Sequence, residues 1–177
     1  MSPVSLVHTW QLPEPTRAAV RDLLDGAFDG GFSDEDWAHA LGGVHALVRD
    51  GDALVGHGSV VRREMLHGGR SVRVGYVEAV AVRASHRRRG VGGAVMGALE
   101  DVVRGGYAFG ALSASEDGVP FYAGRGWLRW RGRTFAMTPG GVVRTEEEDD
   151  GVFVLPAGGV PDLRGDLTCD WRDGDVW

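Results

Sequence analysis

The chain contains no lysine; all 19 of its basic residues are arginine. We read that as the codon bias of a GC-rich genome rather than as physics. Cysteine is almost absent too. Cys169 stands alone, so no intramolecular disulfide can form, which suits a reducing interior and excludes a disulfide-stapled secreted scaffold. Nothing else in the sequence supports that thiol as a nucleophile. No apolar run approaches the roughly 18 residues of a membrane span, and the N-terminus lacks a basic stretch followed by an apolar one. The expectation is a soluble, cytoplasmic protein. The six histidines show no H-x-x-H type of spacing, and with one cysteine they spell no zinc site, so no metal is expected. Positive charge is also short: the net charge is −6, which argues against general affinity for nucleic acid and favours a cationic small molecule. Internal repeats and linkers are missing, and 177 residues suit one domain, residues 1–177, with a real core.

What is present centres on the stretch from Tyr76 to Ala94. Val77, Ala79, Ala81 and Arg83 alternate with Glu78, Val80 and Val82, as in a strand. Ser85 to Arg89 is a short basic loop, ending at Gly90. From there the apolar spacing turns helical: Val91, Val95, Leu99 and Val102 share a face until Gly105-Gly106. A strand, a glycine–arginine turn and a helix start make an anion site, because the first helical turn offers backbone N–H groups and partial positive charge. The turn is not a Walker loop, which would end in Gly-Lys-Ser/Thr, nor the dinucleotide pattern G-x-G-x-x-G.

The rest of the chain frames this turn. Val4 to Trp10 reads as a first strand, broken by Pro13 and Pro15. Thr16 is the expected N-cap of a helix to Phe28, with Val20, Leu23, Leu24 and Ala27 on one face. Ser33 and Asp36 form an S-x-x-D capping box; the other reading of Asp36 is a carboxylate at the mouth of an acceptor site. Strands follow at Val44 to Arg49, Ala53 to Arg63 and Val72 to Val82, with turns at Asp50-Gly51 and Gly68-Gly69. Ala108 to Ser113 is a short strand, and a short helix is entered through Pro120. Thr134 to Thr138 and Val152 to Leu155 close the sheet. Between them five acids, Glu146 to Asp150, read as a solvated loop that would also recognise a polycation. The tail carries Trp171 and Trp177, so it is expected to pack rather than fray.

Arg87-Arg88-Arg89-Gly90-Val91-Gly92 fits R-x-x-G-x-G behind a valine-rich strand, and Phe121-Tyr122 stands four residues before Gly126-Trp127. These motifs resemble the GCN5-related N-acetyltransferases (GNATs). From about residue 6 to the end, the chain further resembles the aminoglycoside 2′-N-acetyltransferases. The segments carrying this are Asp36-Trp37, Leu41 to Leu47, Gly75 to Glu78, Gly110 to Ser113, Gly126 to Leu128, Val152 to Pro156, Cys169 to Arg172 and Gly174 to Trp177. The resemblance implies an α+β, three-layer GNAT fold, with a central mixed, mainly antiparallel sheet flanked by helices. It implies acetyl-CoA as cosubstrate, a ternary complex, an aminoglycoside or similar polycationic amine as acceptor, and a homodimer.

The same resemblance assigns residues. Backbone groups of Val80, Ala81 and Val82 would pair with the pantetheine arm, and Arg87, Arg88, Arg89, Gly90, Val91 and Gly92 would hold the pyrophosphate. Glu78 would be the general base, and Tyr122 would protonate the leaving thiolate. Gly31, Asp36, Ala79, Ser113, Glu147, Glu148, Asp175 and Trp177, with Glu78, would line the acceptor site. The chain departs from the family at Ala79, where glycine is frequent, and at Gly31, where relatives carry an acid; Asp29 lies two residues earlier. Its acidic loop has glutamates where aspartates are usual.

Chemistry alone makes Glu78 a candidate. An ammonium must lose a proton before it attacks a thioester, and a carboxylate among apolar strand residues has the environment to take it. A strand irregularity beside Glu78 would leave an N–H for the thioester carbonyl. The carboxylate of Trp177 is the other candidate base. Tyr122 also reads as a core aromatic with a capped hydroxyl. Acetylation of a polyamine or another amino sugar, and a non-catalytic acyl-CoA-binding module, are the competing functions.

Overall fold

A computed structural model describes residues 3–177. Its elements run β1 (Ser5–His8), α1 (Glu14–Ala27), α2 (Asp34–Ala40), β2 (Val44–Asp50), β3 (Ala53–His67), β4 (Arg70–Val82), α3 (Val91–Gly106) and β5 (Phe109–Ser113). There follow α4 (Val119–Ala123), β6 (Leu128–Arg129), β7 (Thr134–Thr138), β8 (Gly141–Arg144), β9 (Val152–Pro156) and β10 (Leu167–Cys169). The chain condenses into two units. One holds the residues up to Val61 together with Val77–Val102; the other holds Arg62–Tyr76 and Val103–Trp177.

In the first unit, β2 pairs antiparallel with β1 and with β3. The β2–β3 loop is Gly51–Asp52, with Asp50 opposite Ala53, and the strands slip register between Val48 and Arg49. Val20, Leu23 and Leu24 of α1 are buried in a cluster with Leu12, Phe32, Leu47, Leu54 and Ala81. Val91, Val95, Met96 and Leu99 form the buried face of α3, each contributing on the order of 1.5–3 kcal/mol by leaving water. They reach the sheet because β3 is bare at two places. A Cβ on Gly56 would lie 2.5 Å from Val91 Cγ1, and one on Gly58 would lie 2.9 Å from Leu99 Cδ1.

Two expectations need correction here. The first strand stops at His8, whose imidazole caps a 3-10 turn, Thr9–Gln11. Helix α1 begins at Glu14, with Pro13 in the N-cap position, so Thr16 lies inside the helix and caps nothing. Proline breaks a helix only in its interior; in the first turn no N–H is required and its φ already fits. The capping box of α2 is as expected: Ser33 Oγ accepts from Asp36 N at 3.0 Å, and Asp36 Oδ2 accepts from Ser33 N at 2.9 Å.

In the second unit the strand order is β6-β9-β5-β4-β3-β10-β7-β8. β4 is parallel to β5 and β10 to β7, while β5–β9, β6–β9, β10–β3 and β7–β8 are antiparallel. The sheet is therefore mixed and mainly antiparallel, as expected. β6, β8 and β10 were not anticipated. Val103 and Tyr107 pack where glycine leaves room: a Cβ on Gly75 would lie 2.8 Å from the Tyr107 ring.

The tail is docked by two anchors. Arg63, 3 % exposed, donates from Nε to Asp170 Oδ1 at 2.6 Å and from an NH2 group to the Asp170 carbonyl at 2.8 Å. Its guanidinium lies over the Tyr76 ring at 4.8 Å, and Arg172 lies 5.4 Å from the same ring. A buried guanidinium is tolerated only with such partners. The second anchor is Trp177, 4 % exposed, whose Nε1–H donates to Thr145 Oγ1 at 3.0 Å. Trp171, by contrast, is 47 % exposed. Cys169 is buried and donates to the Val176 carbonyl at 3.3 Å; burial pushes its thiol up to about 11, so it carries no thiolate at neutral pH. Among the described residues no helix is long and apolar enough to cross a membrane.

Candidate active site

The β4–α3 turn of the first unit carries the groups that an anion site needs. Arg83 pins its start, with its N–H on the Val55 carbonyl at 2.9 Å and Nε on the Leu54 carbonyl at 3.2 Å. His86 Nε2 lies 3.2 Å from Asp50 Oδ2. The chain then turns through two left-handed residues, Arg88 (φ 59°) and Gly90 (φ 83°). Arg87, Arg88, Arg89 and Gly90 are all exposed. The first helical bond runs from Ala94 N to Gly90 O at 2.9 Å, so the amides of Val91, Gly92 and Gly93 precede the helical ladder. Three exposed arginines ahead of three such amides in the chain are the residue types that suit a pyrophosphate. Val91 is 1 % exposed; its side chain anchors the helix and only its backbone is offered.

Strand β4 leads into that turn with a break. Ala79 has φ 52°, a left-handed conformation that an alanine adopts only when its surroundings impose it. The irregularity expected beside Glu78 is therefore present, without a glycine. It interrupts the alternation: Val77 and Ala81 are both 5 % exposed, while Glu78, Ala79 and Val80 between them are all half-buried. Ala81 sits in the core cluster, which leaves its backbone alone for any ligand. On this unit Asp36 serves the α2 cap, and Gly31 is exposed, its N–H on the Phe28 carbonyl at 2.9 Å.

The second unit gathers the acids. Ser113 Oγ donates to Glu148 Oε2 at 3.0 Å. Burial holds the Glu148 carboxyl above its ordinary value, and the charges of Asp175 and Glu147 push the same way, against the Ser113 bond. Ser113, Glu147, Glu148 and Asp175 are thus brought into one electrostatic group. Asp175 Oδ1 accepts from Trp177 N at 3.1 Å, and Arg172 donates to Asp175 O and Trp177 O, both at 2.8 Å. Alongside lies a pocket of about 460 Å³ lined by Glu116, Glu147, Asp149 and Asp150, with Arg129.

The acidic run is not uniformly solvated, contrary to expectation. Asp149 pairs with Arg144 and accepts from Thr134 Oγ1 at 3.1 Å; those partners hold its carboxyl below the ordinary range. Neighbouring acids thus have opposite tasks, Asp149 structural and Glu148 poised at the higher proton affinity. Tyr122 stands on α4, its ring 6.1 Å from Trp127 and 5.3 Å from Phe121. Burial raises its hydroxyl above the ordinary phenol value, so it holds its proton at neutral pH. Sequence reasoning missed Arg63, Thr145 and Arg172, which hold the tail, and His45 and His57, buried on β2 and β3. The one available signal for the latter was a histidine inside each apolar strand.

Residues 14–129 match the acetyltransferase (GNAT) domain family. The chain is 51% identical over 177 residues to an aminoglycoside 2′-N-acetyltransferase of Mycolicibacterium fortuitum, covering 97% of this chain and 90% of that protein. A GNAT acetyltransferase from Brucella melitensis, solved with acetyl-CoA, shares the fold at a TM-score of 0.62 and 16% identity, covering 96% of each chain. A GCN5-related N-acetyltransferase from Kribbella flavida aligns at a TM-score of 0.59 and 25% identity over 73% of this chain; the chain spans about a third (34%) of that structure's length. The family match and the near full-length relative lead to one conclusion: this chain belongs to the GNAT acetyltransferases.

Proposed function

We propose that the protein transfers the acetyl group of acetyl-CoA directly to the 2′-amine of an aminoglycoside, inactivating the antibiotic. The observation that carries this reading is the 51% identity over 97% of the chain to the Mycolicibacterium fortuitum enzyme. The acidic group around Glu148 supports it, since an aminoglycoside is a polycation of compatible charge. A polyamine would satisfy the same charge, and is the outcome to exclude. The reaction is assigned to one cytoplasmic catalytic domain, residues 1–177, acting as a homodimer.

Bound acetyl-CoA supplies an activated thioester carbon. The chain's residues do the rest. Arg87 to Gly92 hold the pyrophosphate, a binding contribution remote from the reaction that orients the thioester. Glu78 takes a proton from the acceptor ammonium through water, and the freed lone pair then forms the nitrogen–carbon bond. Tyr122 gives its proton to the departing sulfur as the carbon–sulfur bond breaks, and the second proton shed by the new amide nitrogen restores the phenol. Ser113, Glu147, Glu148, Asp175 and Trp177 hold the acceptor's other amines and hydroxyls; the family resemblance assigns Asp36, Gly31 and Ala79 to acceptor binding as well. The test is to incubate the protein with acetyl-CoA and an aminoglycoside carrying a 2′-amine, or with spermidine, and locate the acetyl group by NMR. Acetyl on the 2′-nitrogen is the expected product; acetyl on another amine, or on spermidine alone, refutes the assignment.

Glu148 gives a pH dependence. Its carboxyl is raised in the folded protein, so the fold disfavours its ionised form, and that instability is relieved as pH falls through the folded value. A bound polycation reverses the preference. Binding on the acid side of neutrality should therefore release a proton, and acceptor KM should rise as pH falls. Glu148→Gln should raise KM about 10-fold at neutral pH, the equivalent of one charge-assisted hydrogen bond, and abolish the proton release. Titration calorimetry in buffers of different ionisation enthalpy measures it; unchanged proton release in the variant would remove Glu148 from the site.

A further inference from the structure

Behind the break in β4 lies a chain of hydrogen bonds, all within the first unit, that runs from the surface at Gly42 into the buried histidines. His45 pairs across the β2–β3 ladder with Ser59, and Leu47 with His57, so the two histidines are diagonal neighbours on one face. Both are 0 % exposed. His57 Nδ1 lies 2.8 Å from the carbonyl oxygen of Ala79. His57 Nε2 lies 2.9 Å from His45 Nδ1, and His45 Nε2 lies 2.7 Å from Thr9 Oγ1. Thr9 Oγ1 in turn accepts from the Gly42 N–H at 2.8 Å.

The proton positions follow from these partners. A carbonyl only accepts, so His57 Nδ1 carries hydrogen. Burial pushes His57 down to about 3 and His45 to about 4, the latter with help from the charges of His8 and Arg17, so both rings are neutral. A neutral ring has one N–H, which leaves His57 Nε2 an acceptor. His45 Nδ1 must then donate and its Nε2 must accept, so the Thr9 hydroxyl gives its one hydrogen to His45 Nε2 at 2.7 Å rather than to the Gly43 carbonyl, 3.2 Å away. All four bonds point one way, from the Gly42 amide to the Ala79 carbonyl, and polarise one another. The carbonyl at the end belongs to the residue whose φ is 52°. Its peptide is trans and planar, so fixing that C=O aims the Val80 N–H in the opposite direction.

We propose that His57, supported by His45 and Thr9, is a positioning residue: it locks the Ala79–Val80 peptide and thereby aims the Val80 amide at the thioester carbonyl oxygen. This rests on the reading that acetyl-CoA lies along β4. It explains how alanine holds a conformation better suited to glycine, with a hydrogen bond in place of backbone freedom.

Two experiments test it. In the ligand-free protein labelled with 15N-histidine, both rings should be neutral with hydrogen on Nδ1; hydrogen on His57 Nε2 would overturn the relay, whatever the enzyme's substrate. In kinetics, His57→Phe should lower kcat roughly 10–100-fold, the scale of a misplaced oxyanion donor, with acetyl-CoA affinity changed less than about 3-fold. His57→Asn retains an N–H for the Ala79 carbonyl and should recover kcat to within about 3-fold of wild type. Equal kcat in both variants, high or low, contradicts the proposal even where both lose thermal stability. A wild-type protein that fails to acetylate any aminoglycoside refutes the substrate assignment instead, and the histidine spectrum still decides the relay.

Discussion

Glu78→Gln is expected to lower kcat by roughly 10²–10³-fold while leaving acetyl-CoA affinity unchanged, within the usual range for removing a general base. Glutamine keeps the size and a hydrogen-bonding head, so the half-buried position in β4 is filled as before. What disappears is the capacity to accept a proton from the acceptor ammonium. The acidic limb of the wild-type kcat/KM profile, which reports the base in the enzyme, should vanish in the variant. A variant with the wild-type limb and reduced rate would show that another carboxylate is the base. Loss of acetyl-CoA binding alongside activity would mean that Glu78 shapes β4 rather than catalyses.

Trp177→Ala should be the most destabilising single change in the tail. The indole is 4 % exposed and its N–H bonds Thr145, so truncation removes a large buried surface and strands a buried hydroxyl. The expected cost is about 3–5 kcal/mol, a fall in Tm of roughly 10 °C for a protein of this size. Trp171→Ala is the matched control; at 47 % exposure it should stay within about 0.5 kcal/mol of wild type. Because Asp175 is bonded to the Trp177 amide, the acceptor KM should rise more than the acetyl-CoA KM. Differential scanning calorimetry with steady-state kinetics measures both. A Tm unchanged by Trp177→Ala would mean that the tail is not docked as described.

Sequence periodicity recovered the elements whose pattern is local. Valine alternation and helical spacing gave β2 to β4 and α3; glycine pairs marked the turns, and Ser33 with Asp36 marked the cap. β6, β8 and β10 are two to four residues long, too short for a period; β6 and β10 exist because more distant strands pair with them, and β8 as the short return of a hairpin with β7. Thr16 was misplaced because Pro15 was read as a breaker where the first turn accepts it. At the candidate site, the arginine–glycine turn was legible, since it needs only neighbouring residues; an irregularity beside Glu78 was expected, but the His57 bond to the Ala79 carbonyl was not, because it comes from another strand. The division of labour between Asp149 and Glu148 was not, because it depends on Arg144, Thr134 and Ser113. Nor was the His45–His57 pair: twelve positions separate the two, and strand register alone puts them on one face.

The central claim, acetyl transfer to a 2′-amine, is tested most directly by thiol release from acetyl-CoA with two matched aminoglycosides, one bearing a 2′-amine and one a 2′-hydroxyl. Turnover with the amine alone is the predicted result. Equal turnover with both would place the acetyl group on a different nitrogen, and no turnover with either, in protein that binds acetyl-CoA, would contradict the assignment outright.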